Sequence, residues 1–268
     1  MPDNIEWIDP YEGFAYREDT IQMDAAEQRR SLSACGLDPD VFGDVADPSF
    51  FILEAIQAGV RSGITSDGNV NMLQSLVQRR PVILGEPLTI KGRITAVDEV
   101  ARGHTVDTDV SFDGADGESA LLARRRTLKP DPAKSSARGA GERPPPVVED
   151  PTALDTEGEY TLTPEIVRAY RSEGNPIHFD IEAAQAVGFR APIIGGGMGV
   201  HYLMAALWRR FDPIELDVDI YFRRPIFWDD SFTLRVESDW RALCLAKGEK
   251  VLTEMRVNKV TPGAGARS

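Results

Sequence analysis

The sequence is short of cysteine, of basic runs and of apolar runs long enough to cross a membrane, and each shortage removes a class of protein. Only Cys35 and Cys244 occur, far apart and without C-x-x-C spacing. That leaves no basis for a disulfide framework, a structural zinc knot or a redox motif, and both thiols are expected reduced and buried. Acidic residues outnumber basic ones by 43 to 30, for a formal net charge of -13, and no Lys/Arg block interleaved with aromatics offsets it. Such a chain repels phosphate backbones, so nucleic acid is not expected as a partner. The one long stretch without formal charge runs from Ala191 to Trp208 with His201 neutral. Pro192 and the glycines at 195, 196, 197 and 199 leave only about Met198 to Trp208 as good helix, too short to span a bilayer. The opening residues Met1 to Ile5 lack a basic region followed by an apolar run, so no secretory signal is read and cytoplasm is the expected compartment. No H-E-x-x-H or other metal spacing occurs, and no metal or cofactor is expected. The glycine cluster lacks the Lys-Ser/Thr of a P-loop, and Val200 and Tyr202 stand where G-x-G-x-x-G needs its last glycine.

What is present is globular. With 42% hydrophobic and 27% charged residues over 268 positions, the chain has material for two units or one large one. A helix apolar on every side, as over Met198 to Phe211, must be buried on every side, which requires a sheet around it.

A weak internal repeat organises the rest. The run Arg79, Arg80, Pro81 to Lys91 lies over Arg223, Arg224, Pro225 to Arg235 at an offset of 223 − 79 = 144, and the same offset brings Pro48 onto Pro192. Each of those prolines precedes a helix candidate, Phe50 to Gly59 in one half and Met198 to Phe211 in the other. Alternating strands follow in both halves. The first half carries Leu88, Ile90 and Ile94, then Val106, Thr108, Val110 and Phe112, then 120–128; the second carries Val218, Ile220 and Phe222, then Phe232, Leu234 and Val236, then Thr253, Met255 and Val257. Between them 131–160 is rich in proline and glycine and reads as linker, so the expected units are 1–130 and 161–268. Helix first and antiparallel strands after, twice, predicts an α+β fold of two sheets, each curled around a central helix. The sheets can continue edge to edge, which would bury their open edges.

The chemistry concentrates just before the second helix. Tyr170 to His178 is a polar knot, Asp180 is placed to cap a short helix over Ile181 to Val187, and Gly188 is placed to end it. The order Glu173, Asn175, Pro176, Ile177, His178, then Gly188, Phe189, Pro192, Ile193, Gly196, Gly197 and Met198, resembles the signature of R-specific enoyl-CoA hydratases and MaoC-like dehydratases. The repeat is similar to their double-hotdog branch. Two positions depart from that signature: Glu173 stands where Asp is usual, and Gly195 where His is usual.

The resemblance implies reversible hydration of a 2-enoyl thioester, with Glu173 and His178 jointly holding the water. Independently of it, hydration needs one group to take a proton from water and a source of a proton for the α-carbon. It also needs donors for the charge that develops on the thioester oxygen, and backbone N–H groups at a glycine-lined helix start meet that need. Counting from His178 assigns this donor to Gly196, and counting back from Met198 assigns it to Gly197; Gly196 is preferred, with Gly197 as neighbour. Asn175 is the expected substrate-side residue of the turn, and Arg223 and Arg224 are candidates for CoA phosphates. The expected partner is an acyl thioester of CoA or acyl-carrier protein, and a homodimer is compatible with the reading. Positions 144 residues before 173, 175 and 178 are Arg29, Ser31 and Ala34, so the first half lacks the chemistry and is expected to form the acyl-chain tunnel. His104 and His201 have no such motif around them and are expected in surface or packing roles. Two other readings are a hotdog thioesterase, whose tetrahedral oxyanion the same helix start would hold, and a non-catalytic thioester binder.

Overall fold

The computed structural model describes residues 6–66, 68–134, 144–170 and 174–267. In chain order the strands are β1 (Asp19–Gln22), β2 (Val70–Gln78), β3 (Pro87–Val100), β4 (Gly103–Asp113), β5 (Ser119–Pro130), β6 (Asp155–Thr161), β7 (Glu215–Phe222), β8 (Ser231–Val236), β9 (Ala242–Lys247) and β10 (Lys250–Thr261). The helices are α1 (Ala25–Ala34), α2 (Phe50–Arg61), α3 (Pro164–Tyr170), α4 (Ile181–Ala186) and α5 (Gly196–Phe211).

The strands form one antiparallel sheet in the order β1-β3-β4-β5-β2-β7-β10-β9-β8-β6. The expectation of two sheets is corrected in this respect: β2 and β7 pair along their length and fuse the halves. The pairing satisfies two edges that would otherwise present unpaired backbone groups. At its centre Ser75 faces Asp219, with the Ser75 hydroxyl bonded to the carboxylate. Their separation, 219 − 75 = 144, is the offset of the sequence repeat, so the pseudo-twofold axis passes through this pair.

The repeat holds in detail. Each half has a turn in which an acid caps the backbone: Ile83 N–H donates to Glu86 Oε2 at 3.2 Å, and Phe227 N–H donates to Asp230 Oδ2 at 2.9 Å. Each turn pairs with the segment before its half's main helix, through Val45↔Ile83 and Ile193↔Phe227. The halves differ in length, since β3 and β4 have 14 and 11 residues where β8 and β9 have six each, while α5 has 16 residues against 12 in α2.

Helix α5 is buried from Met198 to Trp208 without interruption, and it packs against β9, β10 and α2. Burying each large apolar side chain of that run stabilises the fold by roughly 1.5–3 kcal/mol. The alternating residues read from the sequence face the core, with Leu88, Ile90, Ile94, Val218, Ile220 and Leu234 fully buried. Cys35 and Cys244 are free and buried, and burial pushes both thiols up to about 12. Among the described residues no helix is long and apolar enough to cross a membrane, and no group of His, Cys, Asp and Glu is arranged to hold a metal.

The segment read as linker is in part built into the sheet. Residues 155–160 belong to β6, an edge strand paired with β8. Upstream, the N–H groups of Val147 and Val148 donate to the two oxygens of the buried Glu254 at 3.0 and 2.9 Å.

Candidate active site

Asn175, with extended backbone, starts a single 3₁₀ turn over Pro176–His178, and its Oδ1 accepts from Ile177 N–H at 3.3 Å. Proline fits the first position of such a turn because it has no N–H to leave unpaired. Asp180 then caps α4, accepting from Glu182 N–H at 2.8 Å and Ala183 N–H at 3.0 Å, and Gly188 takes the left-handed φ of +90° that ends it. The chain returns past the knot, where Ile193 N–H donates to the Ile177 carbonyl at 3.2 Å. Arg190 clamps this return from outside, with one guanidinium nitrogen 2.8 Å and another 2.7 Å from the two oxygens of Asp229. The bonded guanidinium holds the Asp229 carboxyl below its ordinary pKa.

These contacts fix His178. Its Nδ1 lies 2.8 Å from the Ile193 carbonyl, which can only accept, so Nδ1 carries the proton and Nε2 is the basic nitrogen of the neutral ring. Nε2 is turned toward the glycine step, 3.9 Å from where a β-carbon on Gly195 would lie. Gly195 is the N-cap of α5 and provides no side-chain cap, so the first N–H groups of the helix, at Gly196 and Gly197, have no intrahelical acceptor and, among the described residues, no capping oxygen. A β-carbon on Gly196 would meet Phe222 at 2.9 Å and lie 3.6 Å from Asn71 Nδ2, so β2 and β7 both border the step. A β-carbon on Gly197 would lie 3.8 Å from the Tyr170 hydroxyl.

His178 thus sits in the turn that Asn175 starts, with its ring beside the glycine start of α5. Glu173 lies outside the described residues. Arg223 is held within the chain: its Nε bonds Glu254 at 2.6 Å, and its other two nitrogens reach the carbonyls of Pro144 and Pro145 at 3.0 and 2.8 Å. A guanidinium so committed ties the proline-rich segment to the sheet. Arg224 is exposed, with one nitrogen on the Val251 carbonyl at 2.7 Å. In the first half, Arg29 pairs with Asp40 on the surface and Ser31 is buried in α1.

Sequence reasoning missed His201. It is fully buried in α5, with Nδ1 2.6 Å from Asp47 Oδ2 and Nε2 2.8 Å from the Tyr170 hydroxyl. A polar residue inside an all-apolar helix requires a buried partner, and that was the available signal. The partner, Asp47, sits beside Pro48 in the other half.

No protein-family model matches the sequence, and neither does any curated protein sequence. Solved structures do match the fold. HtdX from Mycobacterium tuberculosis superposes with a TM-score of 0.70 at 20% identity, covering 89% of this chain and 98% of that one. A MaoC-like dehydratase from Phytophthora capsici gives 0.70 at 17% identity, covering 93% and 96%. A putative oleoyl thioesterase from Lactobacillus plantarum gives 0.57 at 12% identity, covering 91% and 95%. The chain has the fold shared by HtdX and the MaoC-like dehydratases.

Proposed function

We propose that the chain is a double-hotdog hydratase of the MaoC type, which reversibly adds water to a 2-enoyl thioester of CoA or acyl-carrier protein. The observation that carries this reading is the facing of His178 and the glycine start of α5: a ring fixed with Nε2 as its base, turned toward backbone donors that have no acceptor among the described residues. The thioester oxygen lies against the N–H groups of Gly196 and Gly197, which take up the charge of the enolate as it forms. His178 Nε2 accepts a proton from the attacking water, which Glu173, by its place in the motif, helps to hold. Asn175 shapes the turn and borders the substrate, and Arg224 remains the candidate for carrier phosphates. The N-terminal half completes the sheet and borders the site through Asn71 without a catalytic motif of its own.

A thioesterase reading is favoured by one observation, the fold shared with the putative oleoyl thioesterase. Incubation with a panel of 2-enoyl-CoAs separates the two. Hydration removes the enoyl-thioester absorbance without releasing free thiol, and this is the expected outcome; thiol release establishes the thioesterase, and binding with neither change establishes a non-catalytic binder.

A further inference from the structure

Strand β5 carries three arginines in a row. Arg124 and Arg126 point outward and pair with Asp109 and Asp107 of β4, at 3.8 and 2.6 Å. Arg125 between them takes the opposite face, since side chains alternate along a strand, and it lies under α2 with Tyr16, Thr108 and Ser66 around a small cavity. No acid meets it there: among the described residues Arg125 makes no ion pair, and its Nε is buried without a hydrogen-bond partner. At the end of α2 the carbonyls of Ala58, Gly59 and Val60 already accept from Ser62, Ile64 and Gly63.

A water in the cavity would give Nε a partner but leave the charge unmatched, and burial of that charge holds the Arg125 pKa down to about 10. A carboxylate satisfies both needs, because its two oxygens accept from the planar fork of a guanidinium and its charge is opposite. Space favours it over a phosphate: the cavity has about 10 Å³ free, room for one water-sized oxygen. The Tyr16 hydroxyl, bonded to Thr108, stands at the same wall, so that oxygen has polar surroundings.

The cavity is close to the glycine step. Asn71 of β2, whose Nδ2 is 3.6 Å from where a β-carbon on Gly196 would lie, pairs with Thr127, and Arg125 is two residues from Thr127 on the same face. One strand spacing and two residues of rise put the Cα atoms of Asn71 and Arg125 about 8 Å apart. The wall residues Thr65 and Ser66 belong to the stretch that leads into β2 and Asn71. We propose that Arg125 binds a carboxylate in the N-terminal half, either at the far end of an acyl group held at the start of α5 or as a free small carboxylate. The acyl source rests on the hydratase reading and makes the substrate a 2-enoyl thioester with a second, anionic end; the site at Arg125 does not rest on it. An unmatched buried cation costs stability, which is the kind of cost that a binding site imposes.

Two measurements on the full chain test it. Sodium acetate in place of sodium chloride, at equal ionic strength, is expected to raise the melting temperature of the wild type by a saturable ~2 °C or more, and to leave that of Arg125→Met unmoved. In hydration assays, 2-enoyl-CoAs of equal length that end in methyl or in carboxylate are expected to differ at least about tenfold in kcat/KM in favour of the carboxylate, the range for a charge-assisted hydrogen bond. Arg125→Met is expected to lose that preference. A preference lost in the variant assigns the site to the acyl end, and an acetate response lost in the variant without any preference assigns it to a free carboxylate. Equal melting responses in both proteins together with no preference, or a preference that survives in Arg125→Met, overturn the proposal. A wild type that hydrates none of the thioesters overturns the hydratase reading instead, and the melts alone then decide the site. Should Arg125→Met not fold, Arg125→Gln serves the same comparisons.

Discussion

Substituting Gly196 by alanine tests whether the start of α5 is set by close packing that the chemistry needs. The added β-carbon would lie 2.9 Å from Phe222 Cε1 and 3.2 Å from Cζ, whereas ordinary contact begins near 3.4 Å. Relief requires a movement of at least 3.4 − 2.9 = 0.5 Å by the helix start or the ring. A displacement of about 1 Å at a catalytic group costs on the order of a hundredfold in rate, so half of that predicts a loss of about tenfold or more. Overpacking costs about 1–3 kcal/mol, and alanine in a helix returns up to about 1 kcal/mol over glycine, so the net loss of stability is roughly 0–2 kcal/mol. In Gly197→Ala the new carbon makes only an ordinary contact, 3.8 Å from the Tyr170 hydroxyl, and its melting temperature should not fall. Hydration of the best enoyl-CoA, followed by absorbance alongside thermal melts of both variants, makes the comparison. A Gly196→Ala protein that is folded and turns over at the wild-type rate would refute the reasoning, since the ring would then yield at no catalytic cost.

His178→Ala and Glu173→Gln should each lower turnover by at least about a hundredfold with folding intact, as expected for a lost acid or base, and steady-state rates with circular dichroism check both. Glu173→Asp should lose about tenfold if the site is shaped for the longer side chain, and a gain in rate would show the reverse. Arg125 lines a cavity under α2 with Tyr16 and Thr108; its Nε is buried without a hydrogen-bond partner, and burial lowers its pKa to about 10. Arg125→Met should therefore raise the melting temperature, by about 1 kcal/mol or more of added stability. Because the folded pKa lies below the unfolded value, the penalty relieved by Arg125→Met is fully present below about pH 10 and fades as pH rises through it, so melts at pH 7 and at higher pH should converge.

Strands were legible where the buried face is apolar; β2 escaped because its buried face holds Gln74 and Gln78 beside Leu76. Leu88, Ile90 and Ile94 alternate because β3 has a core face, and the same holds for Phe232, Leu234 and Val236 in β8. Strand β9 escaped because Ala242 to Ala246 are all buried, so no alternation exists to be read. Strand β6 escaped because it is a mostly exposed edge beside a proline-rich segment. The offset of 144 was legible because identical turns need similar residues, and it reappeared as the Ser75 and Asp219 pair on the pseudo-twofold axis. The turn from Asn175 to His178 and the glycine start of α5 were legible as local structure, because each is built from neighbouring residues. The tie between Arg223 and the buried Glu254, 31 residues later, was not legible because sequence gives no sign of that partner. The Tyr170, His201 and Asp47 chain joins three separate elements, two of them in different halves, and no local pattern could have assembled it.

Product analysis in heavy-oxygen water is the most direct test of the central claim that the site beside His178 adds water to carbon with the thioester intact. Purified wild-type chain and His178→Ala would be incubated with the same 2-enoyl-CoA and the products weighed by mass spectrometry. The account predicts an acyl-CoA heavier by one labelled water, with the label on the 3-hydroxyl group, formed by the wild type and largely lost in His178→Ala. Label in a free carboxylic acid together with free CoA, or hydration unchanged in His178→Ala, would contradict it.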